Sequence, residues 1–115
     1  MGSHAAAAAE LLGDRAFVDA ILEDYAGAPC SEQDRALFRL LDKVCADSTQ
    51  VRQADIDAAK GAGWSEEALY DAITVCALFQ FYNTWIDATG VHDLPAAVYD
   101  TMGRRMADHG YVPPE

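Results

Sequence analysis

Residues 65–91 read SEEALYDAITVCALFQFYNTWIDATGV, and this stretch decides the fold. Ser65 is a good N-cap, because its hydroxyl can accept from a backbone N–H of the first turn. Glu66 and Glu67 follow it at the positive end of the helix dipole. No glycine or proline then interrupts the chain until Gly90. The prediction is one long helix from Glu66 to about Thr89. Leu69, Ile73, Val75, Cys76, Leu78, Phe79, Phe81, Tyr82, Trp85 and Ile86 place apolar groups nearly all round it. Such a helix is expected to be central and covered on most sides.

The chain on either side has the same helical periodicity. Upstream, Gly61 and Gly63 close a short helix near Ala54 to Lys60, and Ser48-Thr49-Gln50 reads as a loop. Ser31 caps a third helix, with Asp34 as capping-box partner, whose apolar face is Leu37, Phe38, Leu40, Leu41, Val44 and Cys45. Asp14 caps a second helix with the stripe Phe17, Val18, Ile21, Leu22 and Tyr25, ended by Gly27 and Pro29. A first helix runs from about His4 to Leu12, with Ser3 as cap, alanines favouring it and Gly13 stopping it. Downstream, Asp93 is expected to cap a sixth helix with Pro95 in its first turn. It ends near His109 at Gly110, and Pro113-Pro114 follow. No repeat, linker or boundary is evident. The expectation is an all-α, single-domain bundle of five to six helices over residues 1–115.

A chain of 115 residues can bury a real core. With 51% hydrophobic and 23% charged residues, its composition is that of a globular domain. Nineteen acidic residues against eight basic ones give a formal charge of -11. That field repels phosphate backbones and offers no basic run to an anionic lipid surface, so neither nucleic acid nor membrane is an expected partner. No apolar stretch has the length of a membrane span and no signal peptide is evident. Cys30, Cys45 and Cys76 are odd in number and irregular in spacing, which is neither a disulfide framework nor a zinc site. A reducing cytoplasm fits best.

Few residues suggest chemistry. Cys30 lies between Pro29 and the Ser31 cap. A helix N-terminus stabilises a thiolate, so Cys30 is a candidate reactive thiol against the reading of an ordinary loop cysteine. Cys45 and Cys76 lie on apolar faces, where cysteine behaves as a small hydrophobe; a disulfide between them stays open, though no spacing argues for it. Gln80, Asn83, Thr84 and Asp87 form a polar stripe on the long helix, either lining a pocket or subunit contact or simply facing solvent. Asp55 and Asp57 do not share a helix face. His4, His92 and His109 are isolated from one another, so no metal set and no cofactor is expected. Trp64, Trp85, Tyr82, Phe79 and Phe81 read as core or interface aromatics.

Two stretches carry a resemblance to a known family. HAAAAAELLGDRAFVDAILEDYAGAPCSEQDRALFRLLDKV has a short helix ending in Leu12-Gly13, a helix ending in Asp24-Tyr25, and a Pro29-Cys30-Ser31 cap. ADIDAAKGAGWSEEALYDAITVCALFQFYNTWIDATGV has the Gly63-Trp64-Ser65 cap and the long helix ending in Gly90-Val91. Together, from about Ser3 to Val91, they resemble the peroxidase-related branch of the alkylhydroperoxidase AhpD-like, carboxymuconolactone decarboxylase superfamily. Asn83-Thr84 departs from the family's Asn-Arg step, and the last helix matches only loosely.

That family works through a glutamate followed by C-x-x-C-x-x-x-H, in which one thiolate attacks a peroxide and the second cysteine resolves the sulfenic acid. The resemblance puts the motif's proton-handling histidine at His4 and both motif cysteines before Met1, off this chain. Met1-Gly2-Ser3-His4 also reads as the start of a cloning tag, in which case the match of His4 is accidental. Asn83 and Asp87 fall on family positions, which makes them pocket candidates. The resemblance implies a hydroperoxide-reducing thiol protein that needs a disulfide-reducing partner and self-associates, with this chain inactive alone for want of the cysteine pair. The alternative is a non-catalytic helical module for oligomerisation or small-ligand binding. A decarboxylase on the same scaffold would need an acid–base set that is not evident.

Overall fold

A computed structural model describes residues 2–112, and every regular element in them is helical: α1 (Gly2–Leu12), α2 (Arg15–Asp24), α3 (Glu32–Asp47), a 3-10 turn (Ser48–Gln50), α4 (Gln53–Gly61), α5 (Glu66–Thr89) and α6 (Ala96–His109). The contacts divide them into two compact units. One contains α1, α2 and α6; the other is Cys30–Val91, with α3, α4 and α5.

In the first unit, α1 packs on α2 and, more extensively, on α6. Small residues make the second contact possible. A Cβ added at the buried Gly103 would collide with the Ala6 side chain and lie 2.8 Å from the Ala7 nitrogen. Ala6 and Ala7 are themselves buried, so the two helices meet almost backbone to backbone. Asp14 caps α2 as expected, accepting from the Phe17 N–H at 2.9 Å.

Two expected caps are not made. α1 already starts at Gly2, so Ser3 lies inside its first turn. Gly2 lies so close to the Tyr99 ring of α6 that an added Cβ would be 2.6 Å from it. α6 starts after Pro95, not on Asp93. The Asp93 carboxylate instead accepts from the Tyr99 hydroxyl at 3.1 Å, and that hydroxyl accepts from the Leu94 N–H at 2.9 Å. Pro113-Pro114 lie outside the described residues.

In the second unit the core is Leu40, Val44, Ala59 and Leu69, flanked by Leu37, Val51, Ile56, Trp64, Ile73 and Cys76. Ser31 and Ser65 cap α3 and α5, accepting from the N–H groups of Asp34 and Ala68. Residues 48–50, expected as a loop, form the 3-10 turn, with the Asp47 carboxylate accepting from the Thr49 N–H. Asp55 closes the start of α4 by accepting from the Arg52 N–H at 2.8 Å and meets Lys43 of α3 at 2.6 Å.

Two cross-ties fix how α3 and α5 lie together. The Trp64 indole N–H donates to the Gln33 carbonyl at 2.7 Å, and Cys45 meets Cys76; each pair is 31 residues apart in sequence. The common offset means that the two helices run in the same direction without slipping register. Leu69, Ile73, Cys76 and Gln80 are the seam of α5, at the four-three-four spacing that keeps one stripe on a neighbour.

This arrangement corrects the expectation that α5 is covered on most sides. Only Leu69 is fully buried on it. With 24 residues α5 is about 36 Å long, whereas the 16 residues of α3 cover about 24 Å. The two helices start together, so α5 outruns α3, and residues 81–90 are all exposed. Gly90 then ends α5 in the left-handed region, φ 73°.

A candidate site at two facing cysteines

The seam of α5 carries Cys76 toward the last turns of α3, where Cys45 stands. Their Sγ atoms are 3.1 Å apart, and both are free thiols. The Gln80 side chain, one turn along α5 from Cys76, donates to the Cys45 carbonyl at 3.1 Å. That bond also takes up a carbonyl of the last turns of α3, where intrahelical partners run out. Thiols, backbone and amide thus form one tie between the helices.

The two sulfurs differ in surroundings. Cys76 is half-buried against the Leu40, Val44, Ala59 and Leu69 core. Burial, then the hydrogen bond and charge of Cys45, push its thiol up to about 11. Cys45 is exposed and opens onto a shallow depression on α3 lined by Arg39, Asp42, Lys43 and Ala46. The cations of that depression are engaged: Arg39 with Glu32 at 2.8 Å and Lys43 with Asp55 at 2.6 Å. Cys45 also sits near the negative end of the α3 dipole. The arrangement suits two-electron closure to a disulfide.

The residues singled out from the sequence are placed elsewhere. His4 belongs to the first unit, where its Nε2 lies 2.6 Å from the Tyr111 hydroxyl. Burial lowers its pKa from the ordinary 6.5. Cys30 is half-buried ahead of the Ser31 cap, and its carbonyl accepts from Arg35 at 3.3 Å. Asn83 and Asp87 are exposed on the free half of α5. An open apolar groove there is lined by Gln80, Phe81, Thr84, Trp85 and Ala88, so it takes in Gln80 and Thr84 of the polar stripe but not Asn83 or Asp87. Among the described residues no group of three His, Cys, Asp or Glu side chains is gathered for a metal, and no helix is long and apolar enough to cross a membrane.

Sequence reasoning placed Cys45 and Cys76 on apolar faces and left a disulfide between them open, with no spacing to argue for it. Their meeting depends on the register of two helices separated by α4. The only sequence signal is that Cys76 continues the Leu69–Ile73 stripe of α5. No protein-family model, no curated protein and no solved structure matches this chain.

Proposed function

We propose that this chain is a thiol redox protein and that Cys45 and Cys76 are its working pair. The observation that carries this reading is the 3.1 Å approach of two free thiols from different helices. The resemblance to peroxidase-related, AhpD-like proteins supports the chemistry, a hydroperoxide reduced at the expense of two thiols, but not the residues, because the C-x-x-C pair of that family is absent from this chain. A disulfide-reducing partner regenerates the thiols, and the cytoplasm is the compartment that keeps them reduced between turnovers.

The test is to add one equivalent of hydrogen peroxide to the reduced protein and to map the thiols by mass spectrometry. The expected result is a Cys45–Cys76 disulfide with the Cys30 thiol unoxidised. Three intact thiols after the peroxide has been consumed elsewhere, or a product confined to Cys30, contradicts the reading.

A second reading is favoured by the free half of α5, where Phe81 and Trp85 are 64% and 57% exposed. Large exposed aromatic groups clustered on one helix are the usual material of an interface. On this reading α5 is where copies of the chain self-associate. Light scattering should then give a multimer whose mass falls on Trp85→Asp; a monomer at high concentration contradicts it.

A further inference from the structure

We infer that the pair is asymmetric, with Cys45 as the thiol that meets the hydroperoxide and Cys76 as the one that resolves the product. This assignment rests on the dithiol reading above and deepens it.

Access is the first argument. Cys45 is exposed and forms part of the wall of the α3 depression, whereas Cys76 is half-buried in the α3–α5 seam behind it. A hydroperoxide arriving from solvent reaches Cys45 without parting the helices. Ionisation is the second. Burial in the seam pushes the Cys76 thiol up to about 11 from the ordinary 9.0, so little of it is thiolate at neutral pH. Only the thiolate attacks a peroxide at a useful rate. Cys76 is therefore a poor first nucleophile, yet its sulfur waits 3.1 Å from Cys45.

The steps balance as follows. Cys45 gives its proton to water, and its sulfur attacks one oxygen of ROOH. The O–O bond breaks, RO⁻ leaves and is protonated to ROH, and Cys45 becomes the sulfenic acid. Cys76 then loses its proton, and its sulfur attacks the Cys45 sulfur. The S–O bond breaks, hydroxide leaves with that proton as water, and the disulfide remains. Two thiols and one hydroperoxide give one disulfide, one alcohol and one water. Gln80 acts as a positioning residue: its bond to the Cys45 carbonyl holds the last turns of α3 against α5 while the sulfenic acid waits.

The experiment exposes wild type, Cys45→Ser and Cys76→Ser to hydrogen peroxide with dimedone as sulfenic-acid trap, followed by peptide mapping. Cys76→Ser is expected to carry the adduct on Cys45, Cys45→Ser to carry little or none on Cys76, and wild type to give the 45–76 disulfide. As a check that needs no variant, limiting iodoacetamide should alkylate Cys45 ahead of Cys76 in the reduced wild type. A wild-type disulfide with the adduct on Cys76, or faster alkylation of Cys76, overturns the assignment alone. No disulfide in the wild type overturns the dithiol reading and this assignment with it.

Discussion

Asp55 ties two helices of the cysteine-bearing unit together. It accepts from Lys43 of α3 and from the Arg52 N–H at the start of α4. The Lys43 hydrogen bond, then the Arg52 backbone bond, hold its pKa below the ordinary 3.8. A carboxylate depressed by folding stabilises the fold above its unfolded pKa, and that contribution is lost as pH falls through the lower folded value. Glu32 and Asp47 are shifted the same way, by Arg39 and by Thr49 respectively. The contribution of these three carboxylates to the melting temperature should thus be constant above their ordinary pKa and be lost below about pH 4, while His4, whose folded pKa is lowered, should already cost some stability as pH falls below about 6.5. In Lys43→Met the acid limb should be shallower, and an unchanged limb would remove Asp55 from the account. A core residue gives a larger effect by a different cause. Leu40, 3% exposed, loses its packing and leaves a cavity on truncation, so Leu40→Ala should cost about 3 kcal/mol in chemical denaturation.

Between elements, the deciding feature of the first unit is what is missing from the α1–α6 contact. Gly103→Ala would gain up to about 1 kcal/mol in helix propensity. It would also drive a methyl group into Ala6 and the α1 backbone, which cannot rotate away, at a cost of about 1–3 kcal/mol. The clash should win, and Gly103→Ala should melt below wild type in spite of the better helix former; a higher melting temperature would show that α1 can move aside. The α3–α5 pair has the opposite character, being held by ties at both ends. A disulfide from Cys45 to Cys76, 31 residues apart, would limit the unfolded chain by about 3–4 kcal/mol on the loop-entropy scale. The oxidised protein should accordingly melt several degrees above the reduced one.

Much at this scale was legible in the sequence. The caps at Asp14, Ser31 and Ser65 and the span of α5 follow from side-chain chemistry within a few residues. Ser3 and Asp93 look like caps by residue type, but α1 already starts at Gly2 and the Asp93 carboxylate is taken up by the Tyr99 hydroxyl. The meeting of the two cysteines stayed open for a different reason. Periodicity places Cys45 on α3 and Cys76 on α5, but only the helix register places one against the other.

For the whole molecule, composition and periodicity imply an all-helical chain, and every regular element among the described residues is helical. The covering of α5 was not legible, because an apolar helix surface does not reveal whether its neighbours are long enough to reach along it. Here α3 stops short, and residues 81–90 stay open. The formal charge of -11 opposes self-association through that surface, so any such association should be stronger at higher salt, as repulsion between copies is screened. Sedimentation at low and high ionic strength checks this, and a mass that falls with salt would point to a charge-driven contact instead.

The central claim is that Cys45 and Cys76 act as one redox pair, and thiol mapping of the native protein across one cycle of hydrogen peroxide and a dithiol reductant tests it most directly. The account predicts a 45–76 disulfide that forms with one equivalent of peroxide, leaves the Cys30 thiol unoxidised and reopens under the reductant. Independent oxidation of the three cysteines, with Cys45 and Cys76 ending as separate sulfinic or sulfonic acids, would contradict it.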